Sequence, residues 1–291
     1  MKKFDILNGF VIIVLLAVFI YPFIHIFNLS ISDSFAIDNG EVSLLPKGFQ
    51  LFSYMIVLRS SAIWVGYMNS IIYSVSGTFL TLLLCSSAAY VLNTREFKFK
   101  KMVMVYFVIT MFFSGGVIPS FLVVKNLGMM NTIWAIIIPP ALSAWFIILF
   151  KTNFKSIPYG LLESAKMDGA GHFILYWLII NLSKPIFATL ALFAVVGYWN
   201  SFFSALLYIT SQNKQPLMMV LRKFLVSGNM RGEIGQLMAV AFTGGKEQST
   251  MGLERSIKAA ATLISLGPIV LLYPFLQKYF VKGILVSSIK G

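Results

Sequence analysis

Few residues in this chain could do enzymatic chemistry, and their spacing fits neither nucleotide hydrolysis nor metal binding. Residues 244–246 read Gly-Gly-Lys, but Glu247 follows them and Val240 stands where a phosphate-binding loop needs glycine. His25 and His172 are the only histidines, too few for a metal site. We therefore expect that the chain is no enzyme and binds no metal or cofactor of its own.

The segment 151–184 contains the pattern of a short amphipathic helix. At helical spacing Leu161, Leu162 and Ala165 share an apolar face, whereas Glu163 and Lys166 share a polar one. Such a helix can lie on lipid headgroups, or it can dock against a partner protein. The pattern alone leaves both functions open.

A glycine corner follows this helix. Pro158 can open the helix, because its missing N–H needs no partner in the first turn. Gly169 and Gly171 permit a sharp backbone turn, and we expect a positive φ at Gly169. The apolar residues 173–180 come next. The segment therefore predicts two short helices joined at glycines.

The segment 151–184 lies between apolar stretches of the chain. Six long stretches contain no Asp, Glu, Lys or Arg: 6–32, 60–94, 102–124, 126–150, 185–213 and 259–277. Each can supply the roughly 20 apolar residues that cross a hydrocarbon core. The apolar runs are continuous rather than alternating, which favours helices over barrel strands. We expect an all-α membrane protein, a single domain over 1–291, with six transmembrane helices at about 9–30, 66–92, 102–124, 130–150, 184–209 and 259–280.

The charges between the spans predict the orientation. The short segment 93–101 is basic, as are both ends of the chain, so the positive-inside rule places both termini and the loop 151–184 in the cytoplasm. The segments 28–65 and 210–258 then lie outside. The second of these is basic, but the rule is weakest for longer loops. Within it the apolar stretch 234–245 is too short to cross and predicts a small external helix.

The composition agrees with a membrane protein. Hydrophobic residues make up 58% and charged residues 11% of the chain, whereas a soluble domain has about 25% charged residues. The net charge of +13 does not indicate nucleic-acid binding, because the basic residues flank apolar spans where anionic lipid headgroups lie. The single Cys85 can form neither a disulfide nor a metal cage.

A spacing within 151–184 resembles a known loop. Glu163-Ser164-Ala165, three residues, Gly169, nine residues and Ile179 is similar to the EAA loop of permease subunits in bacterial ABC importers. The run Glu-Ser-Ala-Lys-Met-Asp-Gly-Ala resembles the version in carbohydrate-uptake permeases related to the maltose transporter. Ser164 replaces the usual middle alanine, and the usual terminal Leu-Pro is Asn181-Leu182 with Pro185 later.

The resemblance extends along nearly the whole chain. Residues 113–119, 126–132 and 279–283 are similar to permeases of the LplC and alginate-importer type, and Tyr198-Trp199-Asn200 contains the Trp-Asn pair of the family. It implies a type I ABC importer permease fold in the bacterial cytoplasmic (inner) membrane. The implied partners are a second homologous permease, two cytoplasmic ATPase subunits that bind ATP and Mg, and an extracytoplasmic solute-binding protein.

The resemblance suggests a role for one group of residues, and side-chain chemistry suggests a role for another. In the family the EAA helix inserts into a cleft of the ATPase, which implies coupling for Glu163, Ser164, Ala165, Asp168, Gly169, Ala170 and Gly171. Aromatic faces and amides suit sugar rings, so the substrate path could include Asn69, Tyr73, Trp145, Tyr198, Trp199 and Asn200. Ordinary interhelical packing explains the second group equally well.

The most consistent interpretation is a permease subunit that imports an oligosaccharide or a related carbohydrate. One alternative is a secondary transporter driven by an ion gradient, but it needs intramembrane charges that the six stretches lack. A membrane-embedded enzyme would need a cluster of catalytic residues at one membrane face. An ABC importer of a non-sugar solute remains open, since the sequence does not identify the solute.

Overall fold

In this computed structural model residues 2–226 and 250–288 are described, and all regular elements within them are helices. The apolar runs become helices because backbone polar groups then find partners within each segment. The helices are α1 (Lys2–Ile31), α2 (Ser34–Asp38), α3 (Phe52–Arg59), α4 (Ser61–Asn93), α5 (Lys100–Phe112), α6 (Val117–Asn126), α7 (Trp134–Ala141), α8 (Ala144–Lys155), α9 (Tyr159–Met167), α10 (His172–Leu182), α11 (Lys184–Trp199), α12 (Phe202–Tyr208), a 3-10 turn (Gln212–Lys214), α13 (Leu217–Val226) and α14 (Thr250–Ser288).

The described chain forms two structural units. The first contains α1 to α3 and the part of α14 up to Pro268. In it the Oγ atoms of Ser53 and Ser256 lie 2.6 Å apart. A Cβ on Gly252 would lie 1.9 Å from the carbonyl oxygen of Ser34, so only glycine permits this close approach.

The second unit runs from α4 to α12 and contains the main apolar core. One buried cluster joins α4, α8, α10 and α11, and includes Ala89, Phe150, Ile179 and Leu190. A second cluster surrounds Tyr73 and Tyr198. These two clusters support the two candidate sites below.

The predicted span 102–124 is divided in the structure. Helix α5 ends at Phe112, α6 begins at Val117, and the two helices are bent by 117°. Gly116 has a φ of +84°, a left-handed conformation that strongly favours glycine. The Gly115-Gly116 pair therefore breaks a segment whose apolar composition predicted continuity.

Two further predicted spans are also divided. In 130–150, Pro139 and Pro140 remove backbone donors from α7, which ends at Ala141 before α8 begins at a 49° bend. In 184–209, α11 ends at Trp199 and α12 begins at Phe202. Apolar composition predicted these segments well, but it did not predict where their helices end.

Length and composition make α1 and α4 suitable to cross a membrane. The bent pairs α5–α6, α7–α8 and α10–α11 could each form one crossing, which gives up to five among the described residues. The predicted sixth span lies within α14, which begins at Thr250 rather than 259. Six crossings therefore stay a prediction, and the predicted helix at 234–245 lies outside the described residues.

Candidate functional site

The α9–α10 hairpin, residues 159–182, has the two short helices that the sequence predicts. Gly169 lies just past the end of α9 with a φ of +86°. The N–H of Gly169 donates to the Lys166 carbonyl at 3.0 Å, and that of Ala170 donates to the Ala165 carbonyl at 2.9 Å. These two bonds form a Schellman cap. The expected positive φ at Gly169 is confirmed.

One face of α9 holds the hairpin against the rest of the second unit. Leu162 packs on the buried cluster of α4, α8 and α10. The guanidinium carbon of Arg95 lies 3.9 Å from the centre of the Tyr159 ring, a cation–π contact. Lys166 Nζ donates to Glu96 Oε1 at 2.7 Å. Tyr159, Leu162 and Lys166 follow helical spacing, so they fix the rotation of α9 about its axis.

The contact with Glu96 changes the ionisation of both partners. The hydrogen bond from Lys166 lowers the pKa of the Glu96 carboxyl, and the bond to Glu96 raises the pKa of the Lys166 ammonium. Both charged forms are therefore favoured near neutral pH. The pair is solvent-exposed, so it orients the hairpin more than it stabilises the fold.

Helix α10 is anchored to α4 by a polar cluster. His172 Nδ1 lies 3.1 Å from the Tyr90 hydroxyl, and its Nε2 lies 3.4 Å from Glu96 Oε2. The Tyr176 hydroxyl lies 2.6 Å from Ser86 Oγ. The contacts of His172 therefore lie within the chain. The hairpin is thus attached to α4 through both of its helices.

The opposite face of α9 is open. Glu163, Ser164 and Met167 are exposed, and Met167 reaches 88% exposure. Among the described residues the Glu163 carboxylate has neither an ion pair nor a hydrogen bond. The predicted coupling residues Asp168, Gly169 and Gly171 are also exposed, and Ala165 and Ala170 are half-buried. Five of the seven predicted coupling residues are therefore exposed at the turn of the hairpin.

One predicted feature of α9 is corrected. Lys166 is exposed, as Glu163 is, and its ammonium pairs with the exposed Glu96 carboxylate. Leu161, however, does not share the packed face with Leu162, since Leu161 is 48% exposed. Leu161 is therefore the residue of α9 whose surroundings differ from those that hydropathy alone predicts.

A second site is a cavity of about 330 Å³ near the break between α11 and α12. Four aromatic side chains and several hydroxyl or amide groups line it, among them Phe146, Phe193, Phe203, Asn200 and Ser201. The hydroxyl of Ser201 is buried and has no partner among the described residues. Ring faces beside hydrogen-bonding groups can receive a sugar ring.

Three residues predicted for the substrate path lie in the packed interior instead. Tyr73 is 1% exposed and donates to the Lys214 carbonyl at 2.6 Å. Tyr198 contacts Thr81 Oγ1 at 2.9 Å and donates to the Ile137 carbonyl at 3.0 Å. Trp199 is 3% exposed, and its ring lies edge-on to Tyr67. These side chains hold helices together, although Tyr198 also contributes to the cavity wall.

The other three predicted residues have different surroundings. Asn69 Nδ2 donates to the Asn213 and Gln215 carbonyls, so its amide secures the 3-10 turn. Trp145 is 41% exposed and packs edge-on against Phe193 outside the cavity lining. Asn200 is exposed and lines the cavity. Asn200 therefore fits the predicted role best.

Sequence reasoning missed the residues that hold the hairpin: Tyr90, Arg95, Glu96, Tyr159 and Tyr176. One signal for them was present. Glu96 is the only acidic residue in the basic segment 93–101, where the positive-inside rule explains Arg95 but not a carboxylate. The partners of Glu96 depend on tertiary contacts that no local spacing shows.

The hairpin, open on one face of α9, is attached to α4, whose length and composition suit a membrane crossing. The sequence pattern of the binding-protein-dependent transport system inner membrane component family matches residues 82–286. The chain belongs to this family, and it is therefore an inner-membrane component of a transport system that works with a binding protein.

Individual relatives agree with this assignment. The polygalacturonan/rhamnogalacturonan transport system permease protein YtcP of Bacillus subtilis (strain 168) is 34% identical over 292 residues, covering 100% of this chain and 99% of that protein. Protein LplC of the same organism is 37% identical over 291 residues, covering 100% of this chain and 96% of LplC.

A solved structure also matches closely. One chain in the crystal structure of a bacterial ABC transporter involved in the import of the acidic polysaccharide alginate has a TM-score of 0.87 and 31% identity. The match covers 96% of this chain and 97% of that chain. These comparisons confirm the family and the importer permease fold that the sequence predicts.

Proposed function

We propose that the chain is a permease subunit of an ATP-driven importer of an oligosaccharide or a related carbohydrate. The observation that carries this proposal is the α9–α10 hairpin, with one face of α9 anchored and the other open at the predicted coupling residues. The relatives that transport polygalacturonan, rhamnogalacturonan and alginate support the substrate class.

The open face of α9 docks in a cleft of a cytoplasmic ATPase subunit. Glu163 supplies a carboxylate for a basic or hydrogen-bonding group, and Met167 supplies an apolar contact. Because contacts at Tyr159, Leu162 and Lys166 fix α9 to the second unit, movement of the ATPase moves the transmembrane helices with it. ATP and Mg are bound by the ATPase subunits rather than by this chain.

The complete transporter contains this chain, a second homologous permease, two ATPase subunits and an extracytoplasmic solute-binding protein. Both termini and the hairpin face the cytoplasm, and the binding protein delivers substrate at the other side. The cavity beside Asn200 forms part of the substrate path, where the aromatic rings contact sugar faces and the amide contacts hydroxyl groups.

Matched glycine variants test the coupling role. Apart from chain neighbours, no atom of the described residues lies within 4 Å of a Cβ built on Gly169 or on Gly171, but of the two only Gly169 has a positive φ. Gly169→Ala should cost about 1–2 kcal/mol of backbone strain, reduce uptake and weaken ATPase retention on copurification. Gly171→Ala should change neither. Equal behaviour of the two variants would contradict a requirement for this corner.

Charge reversal tests the docking face directly. Glu163→Lys should reduce uptake on the order of tenfold or more, since truncating a buried interfacial charge pair costs about 2–5 kcal/mol. Asp38→Lys makes the same charge change at an exposed position outside the hairpin, in the predicted external segment, and should leave uptake unchanged. Both variants should insert in the membrane to the same level. Normal uptake by Glu163→Lys would reject ATPase docking through this face.

A further inference from the structure

A cavity of about 300 Å³ lies behind the α9–α10 hairpin, on the side away from the proposed docking face. The end of α4, the end of α8 and both hairpin helices contribute to its wall. Its floor is apolar, because Phe154, Leu175 and Ile179 are buried there. Neither the proposed coupling to the ATPase nor the proposed substrate path uses this cavity.

The rim of the cavity is cationic. Arg95, Lys155 and Lys166 all line it, and among the described lining residues there is no Asp or Glu. Glu96 compensates Lys166 from outside the lining. In the part of the chain that the structure describes, neither Arg95 nor Lys155 has an ion-pair partner. Two cationic groups therefore remain beside an apolar floor.

This combination selects a particular kind of ligand. Arginine and lysine bind phosphate oxygens strongly, arginine through a planar fork and lysine as a point charge. Basic pockets at the cytoplasmic ends of transmembrane helices suit the headgroups of anionic lipids. The apolar floor suits a carbon chain next to the charged group. A small inorganic anion would leave that floor unused.

We propose that this cavity binds a phosphate ester. Arg95 and Lys155 contact the phosphate group, and the apolar floor packs against the adjoining carbon atoms. The ester is either the headgroup of an anionic phospholipid or a soluble metabolite with the same phosphate chemistry. A ligand there joins the ends of α4 and α8 to the hairpin, so it braces the part of the chain that moves with the ATPase.

Thermal unfolding of the purified membrane complex that contains this chain tests the proposal. The probes are glycerol 1-phosphate, dihexanoyl phosphatidylglycerol and the zwitterionic dihexanoyl phosphatidylcholine. A ligand at a concentration of 100 times its Kd stabilises the folded state by about 2.7 kcal/mol. We therefore expect a rise in Tm of a few degrees with at least one of the two anionic probes, and less with phosphatidylcholine.

Five variants locate the site. Arg95→Gln and Lys155→Gln should abolish the rise in Tm, whereas Lys155→Arg should retain it. Lys98→Gln and Lys151→Gln remove one positive charge each from the same segment and the same helix outside the lining, and should also retain the rise. If Arg95→Gln disturbs the contact with Tyr159, the Lys155 variants still decide the result.

Each outcome has a defined meaning. A rise with glycerol 1-phosphate identifies a site for a soluble phosphate ester, and a rise only with phosphatidylglycerol identifies a lipid headgroup site. No rise with either anionic probe overturns the proposal. A rise that persists in both Arg95→Gln and Lys155→Gln also overturns it, because the ligand then binds elsewhere.

Discussion

The α9–α10 hairpin and the α11–α12 break are both interruptions between helices, yet they expose different residues. At the hairpin the predicted functional residues lie open, and residues that the sequence did not single out do the anchoring. At the break, Tyr73, Tyr198 and Trp199 are buried as packing residues, and of the residues predicted for the substrate path only Asn200 is both exposed and part of the cavity lining. A docking surface must be open, whereas a path between helices needs a rigid wall.

The largest expected effect is a loss of packing around Tyr198, in the wall of the cavity at the α11–α12 break. A Cβ on Gly77 would lie 2.5 Å from the Tyr198 ring, whereas a Cβ on Gly197 would have no atom of the described residues within 4 Å apart from its own helix backbone. Gly77→Ala should therefore push the buried ring out of place and lower the Tm of the purified complex by many degrees. Gly197→Ala should leave Tm nearly unchanged. A stable Gly77→Ala variant would show that Tyr198 does not fix the packing of α11 on α4.

Effects of intermediate size distinguish a residue that packs the cavity wall from a residue that contacts the substrate at the α11–α12 break. Asn200→Ala should lower substrate-dependent uptake severalfold without lowering Tm, because the side chain is exposed to the cavity. Tyr198→Phe removes a hydroxyl that bonds Thr81 and Ile137, which should cost about 1 kcal/mol of stability. Its uptake, measured well below Tm, should stay normal. If Tyr198→Phe instead lowered uptake and Asn200→Ala instead lowered Tm, Tyr198 would be the substrate contact and Asn200 the packing residue.

The smallest effect concerns the anchor of the hairpin. The pKa of Glu96 is lowered by Lys166, so the contribution of this contact is present above the ordinary carboxyl pKa and is lost as pH falls through the lowered value. Near neutral pH, hydrogen exchange of residues 159–182 should therefore show slightly less protection in Lys166→Gln than in the unchanged chain. The difference should vanish in strongly acidic conditions. A difference that grows on acidification would contradict the assigned ion pair.

Much of the fold follows from the sequence because apolar length and glycine chemistry are local properties. The charge-free stretches predicted where helices occur, and Gly169 predicted the corner with its positive φ. The bends at Gly116 and Pro139 could have been predicted from residue type, but the continuous apolar composition of these segments led us to predict unbroken spans. The partners of Tyr198 and Glu96 could not be predicted from the sequence, because Ile137 and Lys166 are distant in sequence and contact these residues only after folding.

The central claim is that the open face of α9 contacts the ATPase, and cross-linking tests it most directly. Single cysteines replace exposed Ser164 and Lys98 in a Cys85→Ala background, and each carries a benzophenone photocross-linker. The two positions lie on the hairpin and on the neighbouring basic segment. We expect an efficient cross-link from position 164 to the ATPase subunit and little from position 98. Equal cross-linking, or none from position 164, would contradict it.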